Sequence, residues 1–198
     1  MFDINKSVDE HTKLVNFLLT NRPMDDIVYI GYQIFYCINR GNKVLICGNG
    51  GSASDSQHFA AELQVKFEKL RKGFSCFALT SDTSILTAIG NDYGFKYIFS
   101  RQVETIANTD DVLIAITTSG KSENVLEAIE TAYSKDCIVI CLTGEYLDEY
   151  YADMCEVLIK VPSIRTARIQ EVHGLILHLV CEYLDDCYKE GAEDIEKL

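Results

Sequence analysis

Four stretches of this chain carry side chains or glycines that could do chemistry. The first is Gly48-Asn49-Gly50-Gly51-Ser52-Ala53, which follows the apolar run VLIC and leads into a segment of helical spacing. Its three glycines let the backbone turn sharply and approach a ligand, and a helix N-terminus presents free N–H donors to an anion. The spacing also satisfies the permissive G-x-G-x-x-A dinucleotide pattern. That fingerprint requires an acidic residue closing the next strand about 20 residues on. Here that strand ends near Asp82, too far along, so a nicotinamide or flavin role is set aside. The second stretch is Thr117-Thr118-Ser119-Gly120-Lys121-Ser122, before a helix beginning at Glu123. Hydroxyls and a glycine at a helix start suit a phosphate monoester, with Ser122 placed as N-cap. One such loop is equally an ordinary capped helix start; two at strand ends favour an anion. The G-x-x-x-x-G-K-[ST] spacing of a P-loop is absent.

The third stretch is a predicted helix over 52–70. An apolar stripe runs along it at Ala60, Leu63, Phe67 and Leu70. His58 and Glu62 are i,i+4 neighbours on the opposite face, with Asp55 and Lys66 alongside. Alone, that is a solvated polar face. The fourth stretch gives it context: 172–184 reads VHGLILHLVCEYL, apolar almost all round. Such a helix is expected to be covered on every side, here with help from a partner subunit. His173 and His178 then need polar partners, as does Gln170 if buried. With His58 and Glu62 they could form a shared nitrogen and oxygen cluster. His11 sits on a polar N-terminal helix and needs no special account.

The elements that must hold these residues are legible too. Five β-rich runs, 43–47, 75–79, 111–117, 137–142 and 155–161, are near-continuous in apolar residues rather than alternating. That pattern fits strands covered on both faces. Helical segments lie between most of them, so the chain reads as an α/β fold with a parallel sheet. Helices over 8–19 and 25–40 precede the sheet and one over 165–188 follows it. The expected organisation is a single domain over 1–198: N-terminal helices 1–41, sheet core 42–162, C-terminal helix 165–188 and an acidic tail 189–198. Ligands in such sheets collect at the carboxyl ends of strands.

Composition narrows the function. The formal net charge of −12 argues against nucleic acid and repels anions at long range, so a phosphate must be held by local geometry. The eight cysteines show no C-x-x-C pair and mostly sit in apolar runs, as buried free thiols do. No signal-peptide start and no membrane-length apolar run is seen, and a cytoplasmic protein is expected.

The strings CGNGGSASDSQHFAAEL, LTAIGNDYGF, TTSGKS and TARIQEVHGLILH closely resemble those of the phosphoheptose isomerases of the SIS sugar-isomerase superfamily, over nearly the whole chain. The resemblance implies a five-stranded parallel sheet flanked by helices. It also implies a homotetramer, with N- and C-terminal helices used in oligomerisation and active sites between subunits. The implied activity is conversion of D-sedoheptulose 7-phosphate to D-glycero-D-manno-heptose 7-phosphate, in nucleotide-activated heptose biosynthesis. Asn49, Gly50, Gly51 and Ser52 match the family's first substrate loop, Asn91 and Asp92 its sugar-contacting segment, and Thr117, Thr118, Ser119 and Ser122 its phosphate loop. His58, Glu62, Gln170 and His178 match the ligands of one zinc per subunit. Glu62 and Gln170 also match substrate contacts, and Glu62 with His178 match the acid–base pair. Thr117 replaces a usual serine, Lys121 a common asparagine, Lys66 an arginine of some members, and Ala167 an aspartate of some. Gln170 and His178 are eight residues apart, a rise of about 12 Å along a helix, so they reach one metal only at the extremes of their side chains.

Isomerisation through an enediolate needs a base at carbon, a proton shuttle between oxygens and oxyanion stabilisation. Glu62, His178 and zinc are the expected holders of those roles. Two other readings differ in class: a non-catalytic SIS protein such as a DnaA-binding replication factor, which typically lacks the terminal-helix histidine, and a sugar-phosphate sensor with an attached DNA-binding domain.

Overall fold

A computed structural model describes residues 3–188. The acidic tail expected over 189–198 lies outside the described residues. Five strands form one parallel sheet: β1 (Val44–Gly48), β2 (Cys76–Ala78), β3 (Val112–Thr117), β4 (Ile138–Thr143) and β5 (Val157–Lys160), in the order β2-β1-β3-β4-β5. The near-continuous apolar runs are explained by the register, because successive residues face opposite helical layers. Val44, Ile46, Val112, Ile114, Ile140 and Leu142 enter one core. Leu45, Cys47, Leu113, Ala115, Val139 and Cys141 enter the other.

The first layer is built by α1 (Ile4–Leu18), α2 (Asn21–Asn39), α3 (Gly51–Gln64) and α8 (Thr166–Cys187). Asp3 caps α1 by accepting from the amides of Asn5 and Lys6. Pro23 falls in the first turn of α2, where its missing N–H costs nothing. The second layer holds α4 (Thr83–Asp92), a 3-10 turn at Phe95–Tyr97, α5 (Ser100–Ile106), α6 (Glu123–Ser134) and the single turn α7 (Glu149–Ala152).

Two sequence expectations need correction. The terminal helix is largely covered by its own chain: Ile169, Val172, Ile176, Val180 and Leu184 are buried in the first core with residues of α1, α2 and α3. The helix expected over 52–70 stops at Gln64. Its apolar stripe does not continue, since Leu70 is 69% exposed and Phe67 is only partly buried. The cause lies 114 residues away in a buried ion pair, Arg71 Nε to Asp185 Oδ1 at 2.8 Å. The Arg71 guanidinium donates to the carbonyls of Glu62 and Leu63, which α3 would otherwise leave open at its end. Asp185 Oδ2 accepts from the amides of Glu68 and Lys69, holding the departing chain in place.

The strand order puts the reversal of winding between β1 and β3. The crevice at such a switch point opens at the carboxyl ends of those two strands. The two anion-suited loops follow these strands.

Candidate active site

The first loop runs from Gly48 into α3. Gly50 has φ +57°, a conformation that favours glycine. A side chain at Gly48 would stand 3.0 Å from the Ile116 carbonyl, so glycine allows β1 and β3 to close at their ends. Asn49 exchanges two amide hydrogen bonds of 2.8 Å with Asn124 of α6, which ties the first loop to the helix after the second. Asn124, buried, was not singled out in the sequence. Its signal is weak, an ordinary polar residue one position into a helix.

In the second loop Gly120 takes φ +65°. Thr117 Oγ1 lies 3.1 Å from Ser122 Oγ and accepts from the Gly120 amide at 3.2 Å. The Lys121 amide donates to Ser119 Oγ at 3.2 Å. Ser122 occupies the N-cap position expected of it, but its hydroxyl does not cap α6. The hydroxyls of Thr117 and Ser122 face each other instead. Lys121 swings its ammonium over the Tyr146 ring, 5.1 Å from the centroid.

Helices α3 and α8 lie side by side and run the same way. Gly51 packs against the Gln170 amide at their starts. One further stretch along, His58 Nε2 stands 3.0 Å from His178 Nε2. Glu62 Oε1 stands 3.5 Å from that same His58 nitrogen. The Phe67 ring lies 5.6 Å from the His178 ring and roofs it. One turn before His58, Asp55 keeps a carboxylate oxygen buried with no partner. Burial pushes its carboxyl up, and His58 opposes the rise. His173, the other histidine of α8, is fully buried and sits elsewhere, with Nε2 3.1 Å from the Thr143 carbonyl.

The structure therefore joins His58, Glu62 and His178 and leaves Gln170 at the first loop. Asn91 and Asp92 form the last turn of α4, exposed, with the Asn91 amide bonded to Asp92 at 2.7 Å. Lys66 is exposed beyond the end of α3. Two imidazole nitrogens and a carboxylate oxygen are donor types that suit zinc, and two nitrogens on one tetrahedral zinc stand about 3.3 Å apart. The His58–His178 spacing is close to that. Among the described residues, no three His, Cys, Asp or Glu side chains already stand in a metal-holding arrangement. The donor chemistry fits; Gln170 as a fourth donor does not join the cluster within one chain.

The chain combines a doubly wound parallel sheet, a glycine-rich and a hydroxyl-rich loop at its switch point, and a His58–Glu62 pair on α3 that meets His178 of α8. A SIS domain model matches residues 10–144, and the chain belongs to the SIS-domain family. It is 46% identical over 185 residues to phosphoheptose isomerase 1 of Campylobacter jejuni, covering 93% of this chain and 98% of that protein. It is 50% identical over 157 residues to the phosphoheptose isomerase of a Neisseria meningitidis strain, covering 78% of this chain and 80% of that one. Among solved structures, the phosphoheptose isomerase GmhA of Neisseria gonorrhoeae superposes with a TM-score of 0.81 at 42% identity, covering 92% of this chain and 94% of that one. The Francisella tularensis phosphoheptose isomerase gives 0.86 at 38% identity, covering 92% and 96%.

Proposed function

We propose that this chain is an aldose–ketose isomerase that converts D-sedoheptulose 7-phosphate to D-glycero-D-manno-heptose 7-phosphate for nucleotide-activated heptose synthesis. The observation that carries the reading is the similarity to phosphoheptose isomerases along nearly the whole chain, and it is supported by the contacts of His58 with both Glu62 and His178. His178 also speaks against the non-catalytic replication-factor reading, since that relative typically lacks it.

In the mechanism, Thr117, Thr118, Ser119 and Ser122 with the N-terminus of α6 grip the 7-phosphate. Asn49, Gly50, Gly51, Ser52 and Gln170 line the path of the sugar toward α3, and Asn91 with Asp92 contacts its hydroxyls. Fixing the far end of the sugar places its reacting carbons. Glu62 takes the proton from C1 of the ketose and returns it to C2, and His178 moves a proton between O1 and O2, so the isomerisation balances with no net gain or loss. His58, Glu62 and His178 would hold one zinc per subunit, whose chemistry is to polarise the carbonyl and stabilise the enediolate oxygen.

A homotetramer with active sites between subunits is part of the proposal. Its support is the exposed band of Met24, Val28, Tyr29, Tyr32 and Tyr36 along α2, where the three tyrosine rings stack at 6.3 and 6.2 Å. A cytoplasmic setting is supported by eight free cysteines, the state a reducing compartment maintains. No helix among the described residues is long and apolar enough to cross a membrane.

The test is purified protein with sedoheptulose 7-phosphate, followed by NMR, with parallel samples stripped of metal and reloaded with zinc. Appearance of the aldose phosphate is expected; no product from any sample removes the reading.

A further inference from the structure

We propose that His173 is a positioning residue for the phosphate loop, acting through the Thr143 carbonyl and never touching substrate. The inference rests on the reading of 117–122 as the phosphate grip.

His173 is wholly buried on α8. Its Nε2 lies 3.1 Å from the Thr143 carbonyl oxygen, and a carbonyl only accepts. Nε2 therefore carries the hydrogen and Nδ1 the lone pair. Nδ1 is buried with no partner. A buried polar atom without a partner is costly, and an apolar side chain would fill the same space without that cost. What an apolar residue could not supply is the Nε2–H bond.

That bond holds the floor of the phosphate loop. Thr143 closes β4 and is the register partner of Thr117, which closes β3 and opens the loop. The Thr143 hydroxyl donates to the Tyr146 carbonyl at 2.8 Å, so one residue fixes the start and middle of the turn after β4. The loop rests directly on this turn. A Cβ at Gly120 would stand 1.9 Å from the Tyr146 carbonyl, and one at Gly144 would stand 2.4 Å from the Thr118 carbonyl. Backbone meets backbone at both points, with no flexible side chain to absorb a shift. A displacement of Thr143 is therefore passed to Thr118 and Gly120. The helix that carries Gln170 and His178 thus also sets the height of the phosphate grip.

Two variants separate positioning from simple stability. His173→Leu keeps the apolar fill and removes the donor; His173→Gln returns an N–H near the Nε2 position. The readouts are kcat and KM for sedoheptulose 7-phosphate, and Kd for inorganic phosphate by calorimetry on the zinc-loaded protein. His173→Leu is expected to raise KM and phosphate Kd together, by about tenfold, with kcat within about threefold of wild type. His173→Gln should recover most of that loss. A lowered melting temperature with KM and phosphate Kd unchanged overturns the proposal, as does a fall in kcat alone, or a Gln variant no better than Leu. If His173→Leu fails to fold, Thr143→Val cuts the same chain at its next bond and must raise phosphate Kd; an unchanged value overturns the proposal equally. Wild-type protein that takes up no phosphate also counts against it. A wild type that binds phosphate but makes no aldose, with phosphate Kd raised in His173→Leu, leaves the positioning role standing and removes the isomerase reading instead.

Discussion

Glu62 and His58 were legible in sequence because a helix makes i,i+4 neighbours of them, and the structure keeps both on one face of α3. Their meeting with His178 could be suspected but not placed, since 120 residues separate the two histidines. Within its own chain Gln170 packs at Gly51, at a different level of α8 from His178. Glu62→Gln tests the carbon chemistry. It keeps the shape and cannot accept the proton, so turnover should fall on the order of 10²-fold or more while sugar-phosphate binding persists. Metal content must be measured in the same sample. Wild-type deuterium exchange into the substrate carbons by this variant would show that another group is the base. His173 yields a pH prediction. Burial pushes its imidazole from 6.5 down to about 4, against the opposing bond to Thr143. The unfolded chain then binds a proton that the folded chain refuses, so this contribution is complete above pH 6.5 and fades as pH falls toward 4. The full loss is on the order of 3 kcal/mol. In His173→Gln, the dependence of urea stability on pH across that window should flatten, and a slope equal to wild type would contradict the assignment.

The elements were read well where periodicity dominates and poorly where a distant partner decides. The strands and the helices α1, α2 and α8 are found within a few residues of their expected bounds. The early end of α3 was invisible, because Phe67 and Leu70 continue a helical stripe while Asp185, far along the chain, takes the segment out of it. Asp185 is held below the usual carboxylate range: burial works to raise it, but the Lys69 amide, the Arg71 guanidinium and the Glu68 amide together prevail. Arg71 stacks on Phe74 as well, 4.0 Å from ring centroid to guanidinium carbon. Removing one partner strands a buried charge, so Arg71→Met should cost roughly 3–5 kcal/mol, and the double change Arg71→Met with Asp185→Leu should cost less than that. Because Arg71 holds the Glu62 carbonyl, kcat should fall in Arg71→Met even at temperatures where the protein stays folded. Equal kcat there would confine the pair to stability. Gly120 carries a second element-level expectation. Its positive φ and its contact with the Tyr146 carbonyl leave no room for a methyl group, so Gly120→Ala should raise KM far more than it lowers kcat. Thermal melts alongside the kinetics separate a displaced loop from an unfolded one.

At the scale of the whole molecule, one feature of the site is unaccounted for within a single chain. His58 meets both Glu62 and His178, yet Asn91 and Asp92 stand exposed at the end of α4 and bond to each other. The His58 side chain is itself 57% exposed, an open wall for a site that must hold an enediolate away from water. A symmetric assembly could close that wall by presenting the α4 end of one subunit to the α3–α8 pair of another. Mixing decides the matter without any structure of the assembly. Glu62→Gln subunits and Asp92→Ala subunits are each expected to be nearly inactive alone. If every site takes Glu62 from one chain and Asp92 from another, subunits co-expressed in equal amounts and assembled at random should regain about a quarter of wild-type activity, the fraction of sites in which both residues are intact. If both residues serve the same site from the same chain, every site keeps one defect and the mixture stays as inactive as its parents. Sedimentation on the mixed sample must show the same assembly as wild type, so that silence cannot be blamed on failure to associate. Regained activity would make the shared site a property of the assembly; none would place Asn91 and Asp92 with their own subunit's Glu62, or outside the site altogether.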